Sequence, residues 1–229
     1  CPVLFKIYGG PQAPSVRNTF PSLSHFYLAS QGIIVISVDH RGTGHFGKQG
    51  AALMHRRLGH WEIKDYTDAA KWLRTQKFVD PRRIGISGGS YGGYLTCLAL
   101  TRGSDYFTHG FASAPVTDWR LYDSIYTERY MDTPSANPEG YQAGSVLTFA
   151  DRLQGPLFLI HGEMDDNVHP INSIQLISEL QDLDKDFRFM LYPDGRHGWG
   201  GAKRIHSRRM ETQFWFTHLL NRSLDPRKD

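Results

Sequence analysis

Ser90 stands in the stretch GISGGSYGGY (85–94), a serine with two glycines before it and two more just after the next residue. A serine is a weak nucleophile until a neighbouring base takes its proton and the backbone presents its oxygen to the substrate. Gly88-Gly89-Ser90-Tyr91-Gly92 fits the pattern G-x-S-x-G. Glycines two positions before and two after the serine relieve crowding in a sharp, strained turn from strand to helix. The plainer reading is a serine that caps the following helix. A base and an orienting acid elsewhere in the chain would decide for chemistry. EMDDNVHP (163–170) offers Asp165 and Asp166, and DGRHGWG (194–200) offers His197. Together such residues would transfer an acyl group from an ester or amide to water.

The elements needed to position them can be read from the apolar pattern. Short runs rich in β-branched and aromatic residues predict strands at 3–8, 32–39, 83–87, 109–115, 157–162 and 186–193. Helical patterns lie between them at 20–30, 61–77, 91–102, 171–183 and 203–221. In 61–77, Trp61, Tyr66, Ala69, Ala70 and Leu73 share one face. Strands separated by helices pair in parallel through right-handed crossovers, so the expected fold is α/β, with helices on both faces of the sheet. Residues 116–153 break the rhythm with an aromatic stretch punctuated by Pro and Gly. They read as an insertion near the C-terminal ends of the strands, where such sheets bind ligands. The chain otherwise reads as one domain over 1–229.

Composition narrows the classes. A chain of 229 residues that is 40% hydrophobic can bury a substantial core. Its formal charge of +3 is mild, and its basic stretches at 55–57 and 203–209 read as solvated helix faces, so no nucleic-acid partner is expected. No run approaches the length of a membrane span, and no leader-like segment opens the sequence. Cys1 and Cys97 make no disulfide framework, so the compartment stays open. No spacing of His, Cys and acid suggests a metal, and no cofactor is expected. CPVLFKIYGGP begins inside a predicted strand, so the chain is expected to be a piece of a longer one.

In an α/β-hydrolase the catalytic residues follow the order Ser, then Asp or Glu, then His, each on a loop after a later strand. Here the acidic pair follows the strand at 157–162, and His197 follows the strand at 186–193. Of the eleven histidines, His197 alone lies on a glycine-flanked loop after the last predicted strand. His161 ends a strand and reads as a structural hydrogen-bonding residue. His169 follows the acid too closely. Asp165 and Asp166 are adjacent and point different ways, and pattern does not separate them.

GGSYGGY, YDSIYTERYM, IHGEMDDNVHP and DGRHGWG together resemble the peptidase domain of the prolyl oligopeptidase family, in its dipeptidyl peptidase IV-like branch. The resemblance runs from Tyr8 to the last helix. It implies an α/β-hydrolase fold with Ser90 as nucleophile, His197 as base and Asp165 as acid. It further implies an oxyanion hole made by the Tyr8 hydroxyl and the Tyr91 backbone N–H. By the same resemblance Val116, Trp119, Tyr122, Tyr126 and Val168 line a pocket the size of proline, and Asn167 binds a substrate carbonyl. Tyr122 and Tyr126, spaced i and i+4, are expected on one face of a helix.

The implied substrate is a short peptide with proline at its second position, and the implied assembly a homodimer through the C-terminal helix with Phe214 and Phe216 contributing. Two departures stand out. Gly89 occupies a position where that branch often has tryptophan. The β-propeller and first hairpin strands of similar enzymes have no counterpart in this sequence. An acylaminoacyl-peptidase or an esterase of the same fold is the alternative to a dipeptidyl peptidase, and a non-catalytic interaction domain a more distant one.

Overall fold

The computed structural model describes residues 1–224. Six parallel strands, β1 (Val3–Ile7), β2 (Ile34–Ile36), β3 (Ile84–Gly89), β4 (His109–Ser113), β5 (Leu157–Gly162) and β6 (Arg188–Tyr192), form one sheet in the order β2-β1-β3-β4-β5-β6. Chain order reverses between β1 and β3, so the crevice beyond their C-terminal ends is the topological switch point of an open α/β sheet. Tyr8 follows β1 and Ser90 follows β3 at that point.

Alternation along the strands divides the interior into two cores. Val3, Phe5 and Ile7 of β1, with Ile84 and Ile86 of β3, face α3 (His60–Arg74) and α4 (Tyr91–Thr101). Leu4, Phe111, Phe158 and Ile160 face α1 (Leu23–Ser30) and α8 (Gly201–Leu220). α4 is buried along its whole length, which explains its nearly uniform apolar and small composition. α7 (Ile171–Asp182) packs Leu176 and Leu180 on the α4 side.

Each expected strand and helix is present, but residues 55–57, read as a helix face, lie in a turn and loop rather than on a helix. The second strand is shorter than its apolar run, because its far end turns away. Asp39 there takes hydrogen bonds from the backbone N–H groups of Ser15 and Val16, which anchors the loop after β1 instead of extending the sheet. The short α2 (Gly47–Ala52) was not expected, since GKQGAA has no apolar period. Residues 116–153 hold two 3-10 turns, α5 (Ser124–Met131) and α6 (Pro138–Gly144). The α5 start is set by the Asp123 carboxylate, which accepts from Tyr126 N–H at 2.8 Å.

Phe214 and Phe216 correct one expectation. Both rings are buried in this chain's own core, Phe214 against Phe111 and Phe158, and Phe216 stacked on Tyr27. They are therefore not available to a dimer contact. Among the described residues no helix is long and apolar enough to cross a membrane.

Candidate active site

Ser90 has φ 58° and ψ −119°, a conformation that L-residues seldom adopt and that costs about 1–3 kcal/mol unless its surroundings enforce it. Two contacts do so. Ser90 N–H donates to Ser113 O at 2.8 Å, and its carbonyl receives Tyr94 N–H at 3.0 Å as α4 begins. Gly92 is forced by close approach, since a Cβ there would lie 2.7 Å from Ile7 O and 3.1 Å from Tyr8 Cα. Ser90 holds the N-cap position of α4, yet its side chain makes no capping hydrogen bond. The hydroxyl is thus not used by the helix, which disfavours the capping reading.

The loops after β5 and β6 lie against one another. Gly162 makes this possible: a Cβ there would meet Arg196 O at 2.2 Å and Gly195 O at 2.4 Å. Backbone bonds from Glu163 N to Tyr192 O and from Met164 N to Gly195 O tie the two loops together. Across this junction His197 Nδ1 donates to Asp165 Oδ2 at 2.8 Å. Asp165 is 2% exposed, whereas Asp166 is exposed and pairs with Arg196 instead. The geometry thus separates the two aspartates that pattern left open.

Burial opposes a charge on Asp165, but His161, His197 and the Asn167 N–H outweigh it and hold the carboxyl well below the usual carboxylate range. His161 is the hydrogen-bonding residue expected: its Nε2 donates to Val168 O at 2.8 Å, and its Nδ1 pairs with Ser173 Oγ at 2.7 Å. The Nε2 also lies 3.3 Å from Asp165 Oδ2, so this histidine braces the acid from behind.

Tyr8 is 42% exposed, at the mouth of the crevice, with its ring 6.4 Å from that of Tyr91. Burial, with Tyr130 nearby, raises its pKa, so the phenol keeps its proton and can donate. Tyr91 is the first residue of α4, where backbone N–H groups lack helical partners and the helix dipole favours negative charge. Its phenol is committed elsewhere, donating to Glu62 Oε1 at 2.6 Å.

Glu62 and His40 escaped the sequence reading. Glu62 is buried and also receives Gly59 N–H at 2.9 Å, so it fixes the start of α3 to Tyr91. His40 is buried, with its Nε2 2.7 Å from Gly9 O, and steadies the loop that carries Tyr8. Each is a lone polar residue in an ordinary pattern, and no local signal marks it.

The aromatic cluster assembles as expected, though by another route. Tyr122 precedes α5 in extended backbone, because the Asp123 cap starts that helix at Ser124. The two tyrosines therefore do not share a helical face. Their rings still meet edge to face at 5.5 Å, and Trp119 lies 6.0 Å from Tyr122 and 6.1 Å from Tyr126. Val116, Trp119 and Val168 are buried in the core around them. Tyr122 Oη donates to Asn167 Oδ1 at 2.8 Å, which joins this cluster to the loop bearing Asp165.

Comparison with known proteins places this arrangement. Residues 19–222 match the family model described as "Prolyl oligopeptidase family". The chain is 43% identical over 226 residues to "Probable dipeptidyl-aminopeptidase B" of Neurospora crassa, covering 96% of this chain and 24% of that protein. It is 44% identical over 227 residues to the protein of that name in Coccidioides posadasii, with the same coverage. The crystal structure of Porphyromonas gingivalis dipeptidyl peptidase 4 superposes with a TM-score of 0.93 at 41% identity, over 95% of this chain and 31% of that one. The chain thus spans about a quarter of the length of the curated relatives it matches.

Proposed function

The chain belongs to the prolyl oligopeptidase family, and we propose that it is the catalytic domain of a serine peptidase that releases dipeptides after proline. The observation that carries this reading is the hydrogen bond that His197 Nδ1–H donates to the buried, ionised Asp165 carboxylate, in a chain whose Ser90 is held in strained backbone with its hydroxyl unused by the helix it caps. The relatives' names support the choice of substrate class.

In this reading Ser90 Oγ attacks the scissile carbonyl while His197 Nε2 takes its proton. The Nδ1–H bond to Asp165 fixes the tautomer and stabilises the imidazolium that forms. The oxyanion is received by the Tyr8 hydroxyl and the Tyr91 N–H, each worth about 3–4 kcal/mol. Collapse of the tetrahedral intermediate breaks the C–N bond, and His197 returns the proton to the departing amine. Water then enters, loses a proton to His197 and releases the acyl group from Ser90.

The walls formed by Trp119, Tyr122, Tyr126, Val116 and Val168 suit a pyrrolidine ring, which brings no donor to be satisfied. In this reading Asn167 binds the carbonyl of the preceding residue. Any homodimer through α8 would use its outer face, where Ile205 is exposed, rather than its buried phenylalanines.

Hydrolysis of an alanyl-proline anilide with a free amine, of its acetylated form and of a simple ester tests the specificity. The free-amine substrate is expected to be preferred. Preference for the acetylated form or the ester would assign the site to an acylaminoacyl-peptidase or esterase.

A further inference from the structure

We propose that the cavity beside Gly89 is a leaving-group pocket that takes the residue after the cleaved bond and favours one bearing a carboxylate. The inference rests on the hydrolase reading above and deepens it. Alternation along β3 turns Gly85, Ser87 and Gly89 toward α8, three small residues in a row on that face. At Gly85 the space is filled, since a Cβ would meet the Trp215 ring at 2.8 Å. At Gly89, next to the nucleophile, it is not: a Cβ would meet Ser113 atoms alone, at 3.8 Å. The result is an open cavity of about 570 Å³, within the ~300–1,000 Å³ typical of pockets that hold small ligands.

Its position settles which part of a substrate it faces. The aromatic cluster that would hold the acyl part lies on the α4 side of Ser90. The cavity lies on the α8 side, bounded by Tyr8, Gly89 and the Gly198–Trp199 pair that directly follows His197. His197 hands its proton to the departing amine, so the group attached to that amine leaves on the side where the cavity opens.

Charge supplies the preference. At the floor Lys6 Nζ contacts Glu211 Oε1 at 2.6 Å, and Ser87 Oγ donates to the same oxygen at 2.8 Å. That pair cancels itself. Burial and the nearby Lys6 lower the pKa of His25 on the same wall, which leaves it neutral at pH 7. Arg208, exposed on α8 at the rim, has no ion-pair partner among the described residues. The cavity therefore carries one uncompensated positive charge.

The test compares the amides Ala-Pro-Glu, Ala-Pro-Gln and Ala-Pro-Lys, in which the third residue alone changes. Turnover by the chain, and their affinity for the Ser90→Ala variant by calorimetry, are measured in parallel, so the pocket is read with or without catalysis. The glutamyl peptide is expected to exceed the lysyl one by about fivefold, with glutamine between, and the gap to shrink in high salt. Arg208→Glu should reverse the order. Gly89→Trp should fill the cavity and compress the whole series. Equal values across the three peptides, or an order unchanged in Arg208→Glu, would overturn the proposal. Fluorophosphonate labelling of the parent chain, which needs no leaving residue, reads the hydrolase assignment separately.

Discussion

The two faces of the sheet around Ser90 are built from different chemistry. The α4 face is packed with neutral aromatics: Tyr66, Tyr91 and Tyr94 are buried, and burial raises the pKa of each phenol. Rings of Tyr91, Tyr94 and Trp119 contact one another at 5.0–5.5 Å and leave little room to move. The α8 face is richer in ionisable groups, with Lys6 and Glu211 paired and His25, His109 and His218 half-buried, where the other face buries Glu62 against Tyr91. Near Ser90 the α8 face is lined by small residues and open. A rigid apolar wall suits the acyl group that must be held through two chemical steps. A roomier, charged wall suits a group that has to leave after the first.

The largest predicted effect belongs to neither face. Asp165→Asn should lower turnover by roughly 10⁴ for every substrate, through loss of the correct histidine tautomer, while Asp166→Asn stays close to the parent. Steady-state kinetics check this, and an unchanged rate in Asp165→Asn would transfer the role to Asp166. Tyr8→Phe comes next. It should cost about 10²–10³ in kcat with KM little altered, as expected for a donor used in the transition state. A loss confined to KM would remove Tyr8 from the oxyanion hole.

The α8 face should also be the acid-sensitive one. Burial, with His218 and Arg83 nearby, pushes His109 down to about 4. The unfolded chain binds that proton near pH 6.5, so the neutral folded form is fully favoured above that value. Stability contributed in this way falls as pH drops from about 6.5 toward 4, by up to ~3 kcal/mol. Urea midpoints at pH 7 and pH 4.5 should differ less in His109→Gln than in the parent. An identical difference would show that His109 does not carry the effect.

The smallest effect sharpens the contrast between acyl and leaving sides. Tyr126→Ala should slow proline substrates about 10–100-fold relative to esters with a small acyl group. Equal losses on both would make Tyr126 a core residue rather than a pocket wall.

Much of this was legible because it is periodic or punctuated. Alternation along Val3–Ile7 and Leu157–Gly162, with helical spacing between, gives the sheet and its crossovers, and glycine-flanked loops mark Ser90 and His197. What was not legible depends on contacts between distant segments. The pairing of His197 with Asp165 rather than Asp166, which pattern left open and the resemblance alone implied, follows from how Gly162 lets two loops meet, which neither loop shows by itself. Tyr122 falls outside α5 because a local Asp123 cap overrides i, i+4 spacing. Glu62 and His40 act through Tyr91 and Gly9, partners 29 and 31 residues away. Phe214 and Phe216 look alike to a reader seeking an interface or a core, and packing against β4 and β5 decides for the core.

The central claim is that Ser90 is a nucleophile made ready by this backbone and by His197. Its most direct test is labelling of the chain with a fluorophosphonate, followed by mass mapping of the modified peptide. Adduct on Ser90, lost in Ser90→Ala and strongly reduced in His197→Ala, is the predicted result. A folded chain that takes no label, or takes it on another residue, would contradict the account.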